Sequence, residues 1–289
     1  MTLSTERPTP RADCTAGPDG GIVFDLDPGH RAGGEAPELL LRLRGSKGDD
    51  GTLRLPLSPL GDGRLRAELP STAEPPEGRW DVYVREPGAG DDGEVAVEPG
   101  IRDLRLLMDR APRTGRIAVR IPYPTVDGRL ALHCWIRSPH AEAGPVTFDR
   151  DGMTVEGTLY GTGLGDDAHV EARPPGTGER VCRVPVTGKG DTFSFTLPLD
   201  RLATGPVTGK QLWTLWLIPG TPGGGPADGV RISRLLDDVW DRKNIFVYPG
   251  HDVGEGARAT PCYSAENDLC VRIEPGPTPE ARSPSRTGP

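Results

Sequence analysis

The chain states one pattern of short apolar segments twice, the second statement about 129 residues after the first. Arg54-Leu55-Pro56-Leu57 returns as Arg183-Val184-Pro185-Val186, and Leu65 to Pro70 returns as Phe193 to Pro198. Trp80-Asp81-Val82-Tyr83-Val84 matches Trp213-Thr214-Leu215-Trp216-Leu217, and Ile101-Arg102 with Arg105-Leu106-Leu107 matches Val230-Arg231 with Arg234-Leu235-Leu236. Tyr123-Pro124 closes the first copy as Tyr248-Pro249 closes the second. The order is kept and only the turns between blocks change. What repeats is the two-residue alternation of half-buried strands, and no catalytic set of residue types travels with it. The pattern predicts an all-β chain of two tandem immunoglobulin-like β-sandwich domains that arose by internal duplication.

About seven short strands per copy, separated by turn residues, fit a sandwich and leave no long amphipathic helix for an α/β core. The 40 Gly and 32 Pro fall mostly between the apolar runs, as turns do in an all-β chain. Both ends carry Pro, Thr, Ser, Arg and Gly without apolar periodicity. The expected division is a disordered tail over 1–20, a first repeat over 21–126, a second repeat over 127–274, and a disordered tail over 275–289. Gapless matching of Pro122–Leu132 to Pro261–Val271 gives each copy the same closing hairpin. Leu235 to Trp240 is expected as a short helix, and Ile245 to Tyr248 as a strand.

The net charge of -8 is interspersed along the chain, which argues against nucleic acid as a partner. No apolar run approaches the ~18 residues of a membrane span, and the N-terminus lacks the apolar core of a signal peptide. Five cysteines without regular spacing suit a reducing compartment. The expectation is a cytoplasmic protein, membrane-peripheral only through a partner, with no cofactor and no bound metal.

Several segments carry chemistry in other proteins. Asp25-Leu26-Asp27 puts two carboxylates on one strand face, suited to a hard cation, but Pro28-Gly29 follows and the segment reads as a turn. Gly161-Thr162-Gly163-Leu164-Gly165 leads into Asp166-Asp167, which would repel a phosphate, and reads as a β turn. His133, Cys134 and Cys182, or Cys262 with Cys270, are possible zinc ligand types, yet no C-x-x-C pair occurs and core or edge roles fit them better. Asp237, Asp238 and Asp241 with Arg234 and Arg242 read as a solvated face or a docking face.

Strand parity sorts the aromatic residues. Trp80 shares a face with Val82 and Val84, and Trp213 with Leu215 and Leu217, so both belong to cores. Tyr83 and Trp216 fall on the opposite faces at equivalent positions, and Trp135 falls with His133 and Arg137 away from Leu130, Leu132 and Cys134. Tyr83, Trp135, Trp216 and Trp240 are therefore the candidate binding residues, able to stack on sugar rings or to fill an interface.

The Trp80 and Trp213 strands, the Val230–Leu236 block and the two closing hairpins resemble the β-rich accessory domains that accompany family 2 glycosyltransferases and CDP-glycerol glycerophosphotransferases of high-GC bacteria. The likeness covers most of residues 20–275 and carries no catalytic motif. It implies a non-catalytic binding or scaffolding module beside a glycosyltransferase that makes a cell-surface, cell-wall glycopolymer, with that transferase or the glycan polymer as the partner. Two alternatives stay open: a stand-alone carbohydrate-binding protein, and a small transferase with a site at the expected domain junction near His133, His140 and His169.

Overall fold

The computed structural model describes residues 9–27, 37–47, 49–85, 93–108, 115–176, 180–203, 205–220, 229–254 and 256–276. Among them the chain is all-β, with short 3-10 turns and no α-helix, and no helix is long and apolar enough to cross a membrane. It divides into two units: Met1–His140 with Leu235–Trp240, and Ala141–Arg234 with Asp241–Pro289.

In the first unit the strands are β1 (Arg11–Ala16), β2 (Ile22–Leu26), β3 (Glu38–Leu43), β4 (Thr52–Pro56), β5 (Ser58–Pro59), β6 (Leu65–Leu69), β7 (Gly78–Arg85), β8 (Glu94–Ala96), β9 (Glu98–Asp103), β10 (Ile117–Pro124) and β11 (Leu130–Arg137). One sheet runs β5-β6-β2-β1-β9 and the other β10-β11-β7-β3-β4, with β8 on β7. Alternation does the packing: Phe24, Ala67, Leu39, Leu41, Trp80, Val82, Val84 and Ile121 are buried. Trp80 keeps its indole N–H satisfied by donating to the Pro76 carbonyl at 3.1 Å.

The second unit holds β12 (His140–Phe148, starting at the boundary), β13 (Met153–Tyr160), β14 (His169–Arg173), β15 (Cys182–Pro185), β16 (Thr192–Leu197), β17 (Gln211–Ile218), β18 (Val230–Ser233), β19 (His251–Asp252), β20 (Ala257–Tyr263) and β21 (Leu269–Pro275). Here β16-β13-β12-β18 repeats the order β6-β2-β1-β9, and β20-β21-β17-β14-β15 repeats β10-β11-β7-β3-β4. The parallel pairing of β1 with β9 recurs as β12 with β18. Met153, Val155, Phe193, Phe195, Trp213, Leu215, Val271 and Ile273 belong to one buried cluster drawn from these strands.

The pairing corrects four expectations. Residues 1–20 are not all tail, because Arg11–Ala16 forms β1 between β2 and β9. Its inward residues Ala12, Cys14 and Ala16 are buried but small, so the strand rests on backbone pairing more than on apolar bulk and leaves a faint sequence signal. The 126/127 division falls inside the β10–β11 hairpin, both strands of which belong to the first unit because β11 pairs with β7. Leu235–Trp240 is not helical: six residues nucleate a helix poorly, and Asp237 Oδ1 accepts the Val239 N–H at 2.9 Å in a competing local turn. Ile245–Tyr248 is not a strand, since the N–H groups of Ile245 and Phe246 both turn back to the Arg242 carbonyl.

A register difference also separates the two Arg-Leu-Leu blocks. Tyr83 pairs with Ala96, whereas its counterpart Trp216 pairs with Arg231. The residue equivalent to Arg231 is thus Ala96, and the match of Ile101–Leu107 to Val230–Leu236 is one of composition without shared position. The gapless hairpin match, in contrast, is kept in the pairing: Tyr123 opposes Ala131 as Cys262 opposes Cys270.

Candidate functional site

Residues on the outer faces of the two β7-type strands have equivalent neighbours. In the first unit Arg54, Leu40 and Tyr83 form one cross-strand row that ends at Ala96. In the second the row reads Arg183, Glu171, Trp216, Arg231. Replacing Leu40 by Glu171 decides what each row becomes.

Around Trp216 the charges close on the ring. Glu171 accepts from Arg173 Nε and Arg183 Nε, each at 2.9 Å, and its carboxylate lies 3.5 Å from His169 Nε2. Burial pushes the Glu171 carboxyl pKa up, but the hydrogen bonds and charges of Arg173 and Arg183 together outweigh it and hold the net value below the ordinary range. The guanidinium carbons of Arg173 and Arg231 lie 4.5 and 5.2 Å from the Trp216 ring centroid, and the indole N–H donates to Thr214 Oγ1 at 2.9 Å. Trp216 is half-buried, and its π face already serves two cations of its own unit.

Around Tyr83 the face is only partly covered: its cross-strand neighbour Leu40 is buried, and Tyr83 itself is half-exposed. The β10–β11 turn, Thr125 to Arg129, stands beside β7, and between them is a cavity of about 330 Å³ lined by Tyr83, Arg44, Asp81, Thr125, Asp127 and Arg129 among others. The turn is fixed locally. Thr125 Oγ1 accepts the Arg129 N–H at 3.0 Å, Thr125 N–H donates to the Arg129 carbonyl at 2.8 Å, and Gly128 takes a left-handed φ of 75°. Asp81 and Tyr83 are two apart on β7 and so share the outer face. Asp81 is held by Arg44 through contacts of 3.0, 3.0 and 2.6 Å, and the hydrogen bond to Asp81 raises the Arg44 pKa above its ordinary value. Arg129 and Asp127 are exposed and make no ion pair among the described residues. The chemistry on offer is a half-exposed phenol ring, an oriented ion pair, and an exposed cation and an exposed anion at the rim.

Of the four candidate aromatics, only Tyr83 lines this cavity. Trp240 is half-buried in the first unit, stacked on Tyr123 (centroids 6.2 Å apart, 18° between planes) with the Arg102 guanidinium 4.7 Å from its ring centre. Trp135 is corrected outright: its relative exposure is 0%, and its ring lies 3.6 Å from that of buried His133. Parity put it on an outer face, but β11 is buried on both faces from Leu130 to Trp135, and parity alone does not reveal what covers a face. Sequence reasoning missed Arg44, Thr125 and Arg129. Asp127-Gly128 marked the turn, but that the turn stands beside Tyr83 depends on pairing across some 50 residues of sequence, from β7 to β11.

The remaining chemistry-bearing types sit in structural roles. Asp25 is held by Arg66 at 2.7 and 2.8 Å, and Gly161–Gly165 joins strand β13 to strand β14. All five cysteines are free thiols. Burial pushes the Cys14 and Cys134 thiols up to about 12, which removes the thiolate a nucleophile needs. His133 and His140 are buried in the first unit, while His169 in the second lies beside Glu171 and contacts the Asp167 carbonyl through Nδ1 at 2.9 Å. Among the described residues no cluster of three or more His, Cys, Asp or Glu is placed to hold a metal ion.

No family model matches the chain, and no curated protein matches it. Among solved structures it is similar to residues 217–571 of S. aureus TarS, a wall teichoic acid glycosyltransferase, at 17% identity and a TM-score of 0.31, covering 65% of this chain and 55% of that one. A longer TarS structure gives 16% identity and a TM-score of 0.31, covering 70% of this chain and 38% of that one. A chimeric titin Z1Z2 gives 11% identity and a TM-score of 0.18, over 75% and 93% of the two chains. This chain spans about half the length of the first TarS structure. These likenesses are loose and concern the fold alone.

Proposed function

We propose that the chain is a non-catalytic binding module that works beside a glycosyltransferase making a cell-surface glycopolymer, and that it engages its ligand through the Tyr83 cavity. The association with a glycosyltransferase comes from the sequence resemblance. The cavity is the observation that carries the binding role: a half-exposed aromatic ring, an ion pair already oriented by three short contacts, and charged rim residues with no ion-pair partner among the described residues. Asp81 is held by Arg44, which suits recognition better than proton transfer. The matching pairing order of the two units supports their origin by duplication, with the cavity a feature of the first copy.

The test is capture of partners by the tagged chain from native lysate, membrane fraction included, with wild type and Tyr83→Ala in parallel and mass spectrometry as the readout. A glycosyltransferase should be enriched by wild type and lost with Tyr83→Ala at an unchanged melting temperature. Absence of any glycosyltransferase, or equal capture by the variant, overturns the proposal. A second reading, direct carbohydrate binding, is favoured by the same half-exposed ring, since a sugar can stack on Tyr83 while Asp127 and Arg129 take its hydroxyls. Tryptophan fluorescence cannot report a tyrosine site directly, so calorimetric titration with polyol-phosphate and hexosamine oligomers separates it from the first.

A further inference from the structure

The two closing hairpins have the same turn. Thr125 and Ser264 each accept the N–H four residues on through their hydroxyls, at 3.0 and 3.1 Å, and each donates its own N–H to the carbonyl of that residue, at 2.8 and 2.9 Å. Gly128 and Asn267, at the same position, have φ of 75° and 58°. The strands that follow these turns differ in one pair. Where the first unit sets Tyr123 against Ala131, the second sets Cys262 against Cys270. No other cysteine meets a cysteine: Cys14 is paired with Phe24 and Arg102, Cys134 with Arg120 and Gly78, and Cys182 with Ala172.

Directly opposed residues of an antiparallel pair project from the same face, so the two thiols share a side of the sheet. Their spacing follows from the ladder. Ser264 and Asp268 form a hydrogen-bonded pair, and such pairs recur every second residue, which makes Cys262 and Cys270 the next one and leaves Pro261, with no N–H, at a non-hydrogen-bonded site opposite Val271. A hydrogen-bonded pair holds its Cα atoms about 5.5 Å apart, inside the roughly 4.4–6.8 Å that a disulfide spans. Cys262 is half-buried, while Cys270 is buried and its thiol donates to the Asp268 carbonyl at 3.5 Å. Burial raises the Cys262 thiol above its ordinary range against the pull of Arg272 and Lys210, and raises Cys270 further. Neither is a ready thiolate, so exchange is slow and a reagent reaches Cys262 first.

We propose that Cys262 and Cys270 are a disulfide-forming pair that staples the closing hairpin of the second unit when the chain meets an oxidant, glutathione disulfide. Two exchanges balance the chemistry. The Cys262 thiolate attacks one sulfur of glutathione disulfide and expels a glutathione thiolate, leaving a mixed disulfide on Cys262. The Cys270 thiolate then attacks the Cys262 sulfur and expels the second glutathione. The two protein protons pass to the released thiolates, so two protein thiols are oxidised as one glutathione disulfide is reduced. Closure gives up the weak thiol–carbonyl hydrogen bond and asks for rotation about χ1. It fixes a turn on which other chain segments rest: Asn267 accepts the Arg234 and Arg242 N–H groups at 3.0 and 3.1 Å, and Asp268 accepts the Ser233 hydroxyl at 2.6 Å.

The test incubates the folded full chain with glutathione disulfide, unfolds it, alkylates the remaining thiols and digests with trypsin, which releases both cysteines on one peptide, Ala259–Arg272. That peptide should be unalkylated and lighter by two hydrogens, and should take up two alkyl groups after reduction, while Cys14 and Cys134 are alkylated from the start. The oxidised chain should melt a few degrees above the reduced one. Cys262→Ser, a change at a half-buried position, should show neither the bridge nor the rise. A peptide that keeps two thiols, a glutathione left on Cys262 with Cys270 still free, or a bridge that leaves the melting temperature unmoved overturns the proposal.

Discussion

The turn at Thr125–Arg129 and the turn at Ser264–Asp268 share a backbone and differ in what touches them. Val126, Asp127, Gly128 and Arg129 are all exposed, whereas Asn267 and Asp268 are 0% and 7% exposed. The same contrast runs along the outer rows, where Tyr83 faces a cavity and Trp216 lies between arginines. Two units with matching strand orders therefore use corresponding positions in two ways. One unit closes its turn with buried side chains and two stretches of its own backbone, and the other keeps the Leu130 N–H on the Val97 carbonyl at 2.7 Å while its turn residues stay exposed. An aromatic residue on an outer strand face is thus not by itself a binding residue; what decides is whether neighbours of the same unit have already claimed its ring.

The largest expected effect separates the turns directly. Asp268→Ala removes the acceptor for a buried hydroxyl and a guanidinium, and should cost about 2–4 kcal/mol. Arg129→Ala, at the equivalent exposed position, should change stability by less than about 0.5 kcal/mol. Urea unfolding of the two variants measures both. Equal losses would mean that the first turn is held by its own unit as firmly as the second and that the contrast is false.

A middle-sized effect concerns Glu171 and has no counterpart in the first row, where Leu40 stands. The folded pKa of Glu171 is depressed, so its contribution is present above the unfolded value of about 4.3 and is lost as pH falls through the lower folded value. Arg183 is largely exposed, which screens the interaction, and on the order of 1 kcal/mol is expected. Glu171→Gln should melt below wild type at pH 7, with the gap narrowing as pH drops below about 4. A gap that stays constant down to acid pH would show that packing around Trp216, and not the carboxylate charge, sustains the row.

The β alternation and the closing hairpin were legible because both are local: Trp80, Val82 and Val84 announce their face within one strand, and Asp127-Gly128 announces its turn. β1 was not legible because Ala12, Cys14 and Ala16 carry little apolar signal and owe their burial to strands far away in sequence. Of the site, Tyr83 was found by parity, and the same rule misplaced Trp135 and could not foresee that Arg173 and Arg231 lie over Trp216. The shift that makes Ala96 the counterpart of Arg231 is likewise invisible in composition, since two Arg-Leu-Leu blocks look alike until the strands are paired.

The smallest effect bears on why one turn carries glycine and the other asparagine. A Cβ on Gly128 would meet nothing within 4 Å, so Gly128→Ala should cost only the left-handed backbone, about 1 kcal/mol. Asn267→Ala should cost that and more, because asparagine tolerates the same φ and its side chain also accepts the buried Arg242 N–H, leaving that donor unpaired. Thermal melts of the pair, each read against Asn267→Gly, separate the backbone from the hydrogen-bond contribution. If Gly128→Ala proves as damaging as Asn267→Ala, something packs on the first turn in solution, and it is not the exposed turn on which the contrast between the two units depends.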